Sequence, residues 1–324
     1  TGIYYTIRLR FIQLRRLGEG FKLVFGHFSL KGEKHEKGEM SPFQAIATAI
    51  AAQVGTGNLA GAATAIVSGG PGAIFWMWVS AFFGMATIYG EAVLAQVYKE
   101  EKDGDITGGP VYYIKAAFSG TLGKVLAGLF AVFIILALGF MGNMVQSNSI
   151  GAAFQEVFHI MNFEIPPIAI GVFVAAIAAF IFLGGTKRLA AVLEKIVPIM
   201  AGVYILGAVV FMLMHITALP GALASIFIGA FNPQAVTGAA LGITIRQAIR
   251  FGVARGLFSN EAGMGSTPHA HARGKAKCPD DQGLCAMVSV FIDTFVVLNF
   301  TVFVILTSGI YGQLDPATQK PLYT

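Results

Sequence analysis

The chain has 324 residues, 55% of them hydrophobic and only 12% charged, with a formal charge of +5, whereas soluble domains carry about a quarter charged residues. Apolar stretches of roughly 20 residues, the length a helix needs to cross hydrocarbon, alternate with patches that hold the charge. These features exclude an ordinary soluble domain, and the lack of basic residues interleaved with stacking aromatics excludes a nucleic-acid partner; an all-α polytopic membrane protein is predicted.

In chain order, residues 1–28 interleave Arg8, Arg10, Arg15, Arg16 and Lys22 with Leu9, Phe11, Ile12, Leu14, Leu17, Phe21 and Leu23, the pattern of a basic amphipathic arm lying along a membrane surface. Apolar segments follow at about 41–67, 72–98, 123–158, 166–184, 189–214, 222–245 and 284–311. Alternating the sides of the loops puts 1–40, 99–124, 187–195 and 246–277 on one face, with eight, four, three and six Lys/Arg, and leaves only Lys320 on the other. The positive-inside rule makes the basic face cytoplasmic. A multi-pass protein of the cell (inner) membrane is expected, its N-terminal arm cytoplasmic and in contact with anionic lipid.

The first span is interrupted by Gln53-Val54-Gly55-Thr56-Gly57-Asn58. Two glycines within three residues weaken a helix, and backbone groups freed at bilayer depth must line a protein-enclosed cavity or meet a ligand. The N–H groups of the outer half-helix would favour a carboxylate, and the carbonyls of the inner half a cation. The alternative is a small-residue packing face through Gly57 and Gly61. A second interruption near 231–242, with Asn232-Pro233, Gly238 and Gly242, favours the break, because inverted-repeat transporters carry broken helices at corresponding places in their two halves. The pair falls on spans one and six, which predicts two five-helix repeats. Residues 1–40 would form the arm and the end of an N-terminal helix, 41–216 the first repeat, and 217–324 the first two helices of a truncated second repeat; a fragment of a longer protein is therefore expected.

Other polar residues at depth are Asn143, Gln146, Ser147 and Asn148, a pocket wall or interhelical glue. Glu91 and Asp293 are intramembrane acids, and Asp293 is expected to pair with Arg246, Arg250 or Arg255. No nucleophile–base–acid arrangement is visible, so an enzyme is not expected. His269, His271, Cys278 and Cys285 lack the tight spacing of a zinc site, and no metal beyond a coupling ion and no cofactor is expected. No protein partner can be inferred.

The run from Gly69-Gly70-Pro71-Gly72 through Phe75-Trp76-Met77-Trp78 to Gly84 resembles the signature of the alanine or glycine:cation symporter family, the sodium:alanine symporters. Gln53 to Asn58, Thr107-Gly108-Gly109-Pro110 and Arg255 to Ser266 are similar to the same family. The resemblance implies a secondary transporter of the inverted five-helix-repeat type, taking up alanine or glycine with Na⁺, or with H⁺ as the alternative. Val54, Gly55, Gly57 and Asn58 also match the Val-Gly-x-Gly-Asn pattern of the related sodium:neurotransmitter symporters. Carried over by position, this implies substrate binding at Thr56, Gly57 and Asn58, cation binding at the carbonyls of Ala51 and Val54 and at Asn58, and a pocket role for Gln146.

Overall fold

The computed structural model describes residues 1–26, 48, 50, 53–102, 105–160, 165–233 and 244–309. The described residues are helical nearly throughout. The N-terminal region forms α1 (Gly2–Arg8), α2 (Ile12–Arg15) and α3 (Leu17–Phe25). After the interruption, α4 starts as a π-helical turn, Gly57–Gly61, and runs on as Ala62–Gly69. Then come α5 (Gly72–Val97), a small antiparallel strand pair, β1 (Glu100–Lys102) and β2 (Asp105–Thr107), and α6 (Pro110–Ala117). The long α7 comprises Gly120–Ile134, a π-helical stretch Ile135–Gly142 and Asn143–Ile160. It is followed by α8 (Pro167–Phe182), α9 (Gly185–Met214), α10 (Leu219–Phe231), α11 (Ile245–Asn260) and α12 (Pro268–Arg273). The last described helix, α13, contains Pro279–Phe291, a π-helical turn Ile292–Val297 and Leu298–Thr307.

Among the described residues four helices are long and apolar enough to cross a membrane: α5, α7, α9 over Ala191–Met214, and α13; α8 and α10 are shorter apolar helices. The four divide into two kinds. Half of the most apolar stretch of α5 and of α13 is buried, against 11% for α7 and α9, so α5 and α13 form the protein core while α7 to α9 present side chains such as Phe133, Met141, Phe180 and Val203 outward.

Small residues set how the core helices meet. A Cβ on Gly69 would stand 3.3 Å from Ala248 Cα, and one on Gly57 only 2.9 Å from Ser259 Cα. The rising number on one helix matches the falling number on the other, so α4 and α11 are antiparallel and nearly touch along their backbones. In contrast, α5 and α11 run parallel: Gly256 lies 3.3 Å from Met77 Cα and Gly84 lies 3.1 Å from Ala262 Cβ, each measured to the added carbon. Helix α13 is antiparallel to α5, joined by Tyr89 to Asp280 at one end and by Trp78 Nε1 donating to Asn299 Oδ1 at 2.9 Å at the other. Ile66, Ile74, Met77, Ile226, Leu298 and Val302 fill one half of this core; Met85, Ile88, Leu284, Met287 and Val290 fill the other.

Two expectations are corrected here. The basic stretch 246–277 is not a loop on one face: α11 crosses beside α5, with Arg246 near the Gly69 end, while Arg273 pairs with Asp105 beyond the Val97 end at 3.3 Å. The arm is also more than a surface helix. Gly2 packs on Phe83 and Tyr5 on Gly90, so α1 lies along α5; Gly20 packs on Leu284 and Val288; and Arg16 pairs with Asp280 at 2.8 Å. The buried pair Gln13 and Thr6, joined at 2.9 Å, locks the turn between α1 and α2.

Candidate functional site

At the first interruption the Val54 N–H still reaches Ile50 O at 2.6 Å, but Val54 and Gly55 leave the helix, and the Asn58 N–H turns back to Gly55 O at 3.1 Å. Ala51 lies outside the described residues. Without a side chain, Gly55 lets Gln146 of α7 approach: an added Cβ would sit 3.4 Å from Gln146 Oε1. Gln53, Gly55, Thr56, Gly57 and Gln146, together with Phe258, Glu261 and Met264, line a cavity of about 20 Å³, room for about one water molecule. Thus Thr56, Gly57 and Gln146 line one cavity.

Asn58 does not line that cavity and points into a buried polar cluster. Its amide nitrogen donates to Asp293 Oδ1 at 2.7 Å, and Ser259 Oγ donates to Asn58 Oδ1 at 2.5 Å and lies 3.1 Å from Asp293 Oδ2. Thr294 Oγ1 donates to the same carboxylate oxygen at 2.9 Å. Asp293 and Thr294 are wholly buried and Asn58 is 1% exposed. The π-helical turn of α13 points Asp293 at Asn58, whereas Arg246 and Arg250 lie on the exposed side of α11; the expected ion pair is absent among the described residues. A buried carboxylate with only neutral donors is costly unless a cation or proton joins it.

A second unwound turn follows α11. Glu261, Gly263 and Gly265 have φ of 55°, 89° and 78°, so the chain cannot continue as a helix until α12. The turn is held by Glu91 Oε2, which accepts the Gly263 N–H at 3.0 Å, and by Asn260 Oδ1, which accepts the Ala262 N–H at 3.1 Å. Gln53 Nε2 donates to the Asn260 carbonyl at 3.1 Å and so ties the two interruptions together. Around them, Gln53 Oε1, Thr56 Oγ1 and Asn260 Nδ2 are buried with no hydrogen-bond partner among the described residues. The expected interruption near 231–242 is described only to Pro233: α10 ends at Phe231, and Asn232 leaves the helix. The turn at Glu261 was missed because its arginine-rich flank reads as a loop; the spaced glycines of Asn260-Glu261-Ala262-Gly263-Met264-Gly265, like Gly55-x-Gly57, are the signal that marks it.

The family model for the sodium:alanine symporter family matches residues 1–322. The chain belongs to that family. Similar sodium:alanine symporter relatives include the sodium/alanine symporter AgcS of Methanococcus maripaludis, 45% identical over 96% of this chain and 66% of that protein. The amino-acid carrier protein AlsT of Bacillus subtilis is 43% identical over 97% of this chain and 64% of its own length. A protein of the same bacterium named "Probable sodium/glutamine symporter GlnT" is 41% identical over 96% of this chain and 62% of its own length. The chain thus spans about two-thirds of the length of the curated relatives it matches, while the family match itself runs nearly end to end and lends the fragment expectation no support. Family and relatives are transporters and not enzymes.

In this symporter-family chain the small cavity borders a larger one of about 910 Å³, whose lining includes Gln146, Asn143, Glu261, Ser266, His269 and Arg273. Gln146 and Glu261 line both.

Proposed function

We propose that this chain carries the coupled site of a secondary transporter that moves alanine or glycine inward with Na⁺ by alternating access across the cell membrane. The observation that carries this is the Asn58–Ser259–Asp293–Thr294 cluster beside the interrupted α4. It offers carboxylate, amide and hydroxyl oxygens in a dry place, the donor chemistry a hard cation takes, and a cation there would neutralise Asp293. Val54, and Ala51 at the inner half-helix, would add carbonyls to a cation on this side. On the other side, the N–H groups at Thr56 and Gly57 would hold the substrate carboxylate, with Gln146 closing the wall. Gly55, which faces the Gln146 amide, leaves space for a short side chain only. A cavity with room for about one water cannot enclose alanine, so loading requires the walls to part toward the larger cavity, and this is the alternating step.

The inverted repeat remains the reading for the architecture. Its support is that α4 and α11 are antiparallel, each is interrupted, and each is followed by a long core helix, α5 or α13, these two being antiparallel as well. The arm, with Arg8, Arg10 and Arg15 exposed, fits contact with anionic lipid at the cytoplasmic face.

The test is uptake of labelled alanine into proteoliposomes with Na⁺ exchanged for choline, with and without a proton gradient. Na⁺-dependent uptake, inhibited by glycine and lost in Asp293→Asn, is expected. Equal uptake in choline when a proton gradient is present would move the reading to proton coupling, which the buried Asp293 favours as the second reading, its carboxyl then carrying the proton.

A further inference from the structure

Resting on that reading, we infer that the Glu261 carboxylate is the counter-charge for the α-ammonium group of the transported amino acid. Glu261 lines the same small cavity as Thr56 and Gly57, so an amino acid with its carboxylate against their N–H groups brings its ammonium within the same enclosure as the Glu261 carboxylate. The same residue lines the larger cavity, so it stands where the two spaces meet and where an arriving zwitterion passes. Only 8% of it is exposed, and among the described residues no lysine or arginine pairs with it.

The Ser266 hydroxyl donates to one Glu261 oxygen, which leaves most of the acceptor capacity of an ionised carboxylate unused. Nearby basic groups are occupied: Arg273 pairs with Asp105 at 3.3 Å, and His269 Nδ1 lies 2.9 Å from the Gly108 carbonyl. Glu91, the other acid at the turn, binds the Gly263 N–H and lines neither cavity.

The backbone supplies an independent sign. Glu261 is left-handed at φ 55°, in a turn whose other left-handed residues are glycines. Such a conformation is uncommon for a side chain with a Cβ and persists where the surroundings impose it. Here the Glu261 N–H is fixed to Leu257 O at 3.0 Å, so the turn aims a carboxylate that a glycine would omit. The orphaned Thr56 Oγ1 and Gln53 Oε1 line the same interruption, and Gln53 and Thr56 border the small cavity with Glu261.

The consequence is selectivity for the ammonium group itself. Lactate, which replaces the ammonium of alanine by a hydroxyl, should be rejected by the wild-type protein because Glu261 would be left unpaired. The experiment is equilibrium binding of labelled alanine to purified protein in saturating Na⁺, with lactate as competitor and melting temperature recorded beside it. Glu261→Gln keeps the size of the side chain and should weaken alanine binding at least about 30-fold, the scale for removing one partner of a buried charge pair. Lactate affinity should stay the same or rise, so the discrimination collapses. Glu261→Asp keeps the charge and should still prefer alanine over lactate, which keeps the test open if the glutamine variant does not fold. Alanine affinity within threefold of wild type in Glu261→Gln would overturn the inference and leave the transport reading intact. An equal loss in Ser266→Ala would overturn it too, since the carboxylate would then only be shaping the turn. Wild-type protein that binds no alanine in Na⁺ would instead sink the transport reading and this inference with it.

Discussion

Gly55 and Gly57 stand two residues apart and do different jobs. A methyl group on Gly55 would meet only the end of the Gln146 side chain, at ordinary contact distance, whereas one on Gly57 would press on the Ser259 backbone. Gly55→Ala should therefore give a folded protein with normal melting temperature and weakened alanine binding. Gly57→Leu should lower melting temperature and yield, because α11 must move away, at about 1–3 kcal/mol for overpacking of this kind. The reverse pattern in paired binding and melting measurements would exchange the two assignments. Asn58→Ala should raise the Na⁺ concentration needed for half-maximal alanine binding, since Asp293 loses its amide partner; an unchanged Na⁺ requirement would remove Asn58 from the cation site. The sequence makes Asn58 visible, as an amide beside two glycines at membrane depth. Its partner Asp293 lies 235 residues on, and three arginines nearer in the chain are the more obvious pairing until the helices are arranged.

At the scale of elements, the misread helix is α11. Its arginines suggest a loop, yet Ala248, Gly252, Gly256 and Ser259 are all buried at helical spacing, a stripe of small residues that lets α4 and α5 pack on one side. Arg246 and Arg250 occupy the exposed side. Periodicity was thus legible, but residue hydropathy, which weighs each position alone, hid it behind the charge. A Cβ on Gly252 would run into the Ala73 carbonyl and sit 2.7 Å from Trp76 Cβ. Gly252→Leu should consequently cost more stability than Gly202→Leu on α9, where no atom lies within 4 Å of the added carbon. Equal melting temperatures for the two variants would deny that α11 packs directly on α5.

Across the whole molecule, α12 is fastened to the core end of α5. Gln96 Nε2 donates to the carbonyls of His271 at 2.5 Å and Gly274 at 2.7 Å, and Gln282 Nε2 donates to Lys275 O at 3.3 Å. The Gln282 oxygen is left to accept from His271 Nδ1 at 3.0 Å, so Nδ1 carries the proton and Nε2 is buried without a partner among the described residues. Complete burial pushes the His271 ring down to about 4. A buried histidine that stays neutral contributes its full stabilisation above its ordinary pKa of about 6.5, and that contribution is lost as pH falls toward about 4, amounting to about 3 kcal/mol at the acid end. Melting temperature should therefore fall between pH 6.5 and 4 in wild type and fall less in His271→Gln, which starts lower at neutral pH. Parallel acid profiles for the two proteins would mean that another group sets the acid limit.

The near-touching seams between α4, α5, α10 and α11 also constrain how the sequence can drift. Gly57, Gly72 and Gly252 face the backbone of a neighbouring segment, while Gly128, Gly151, Gly171, Gly202, Gly207 and Gly221 face open space. A side chain in the first group would force two segments apart, so single substitutions there are expected to cost stability. The second can be exchanged one at a time, and the outer helices are free to diverge while the seam keeps its spelling.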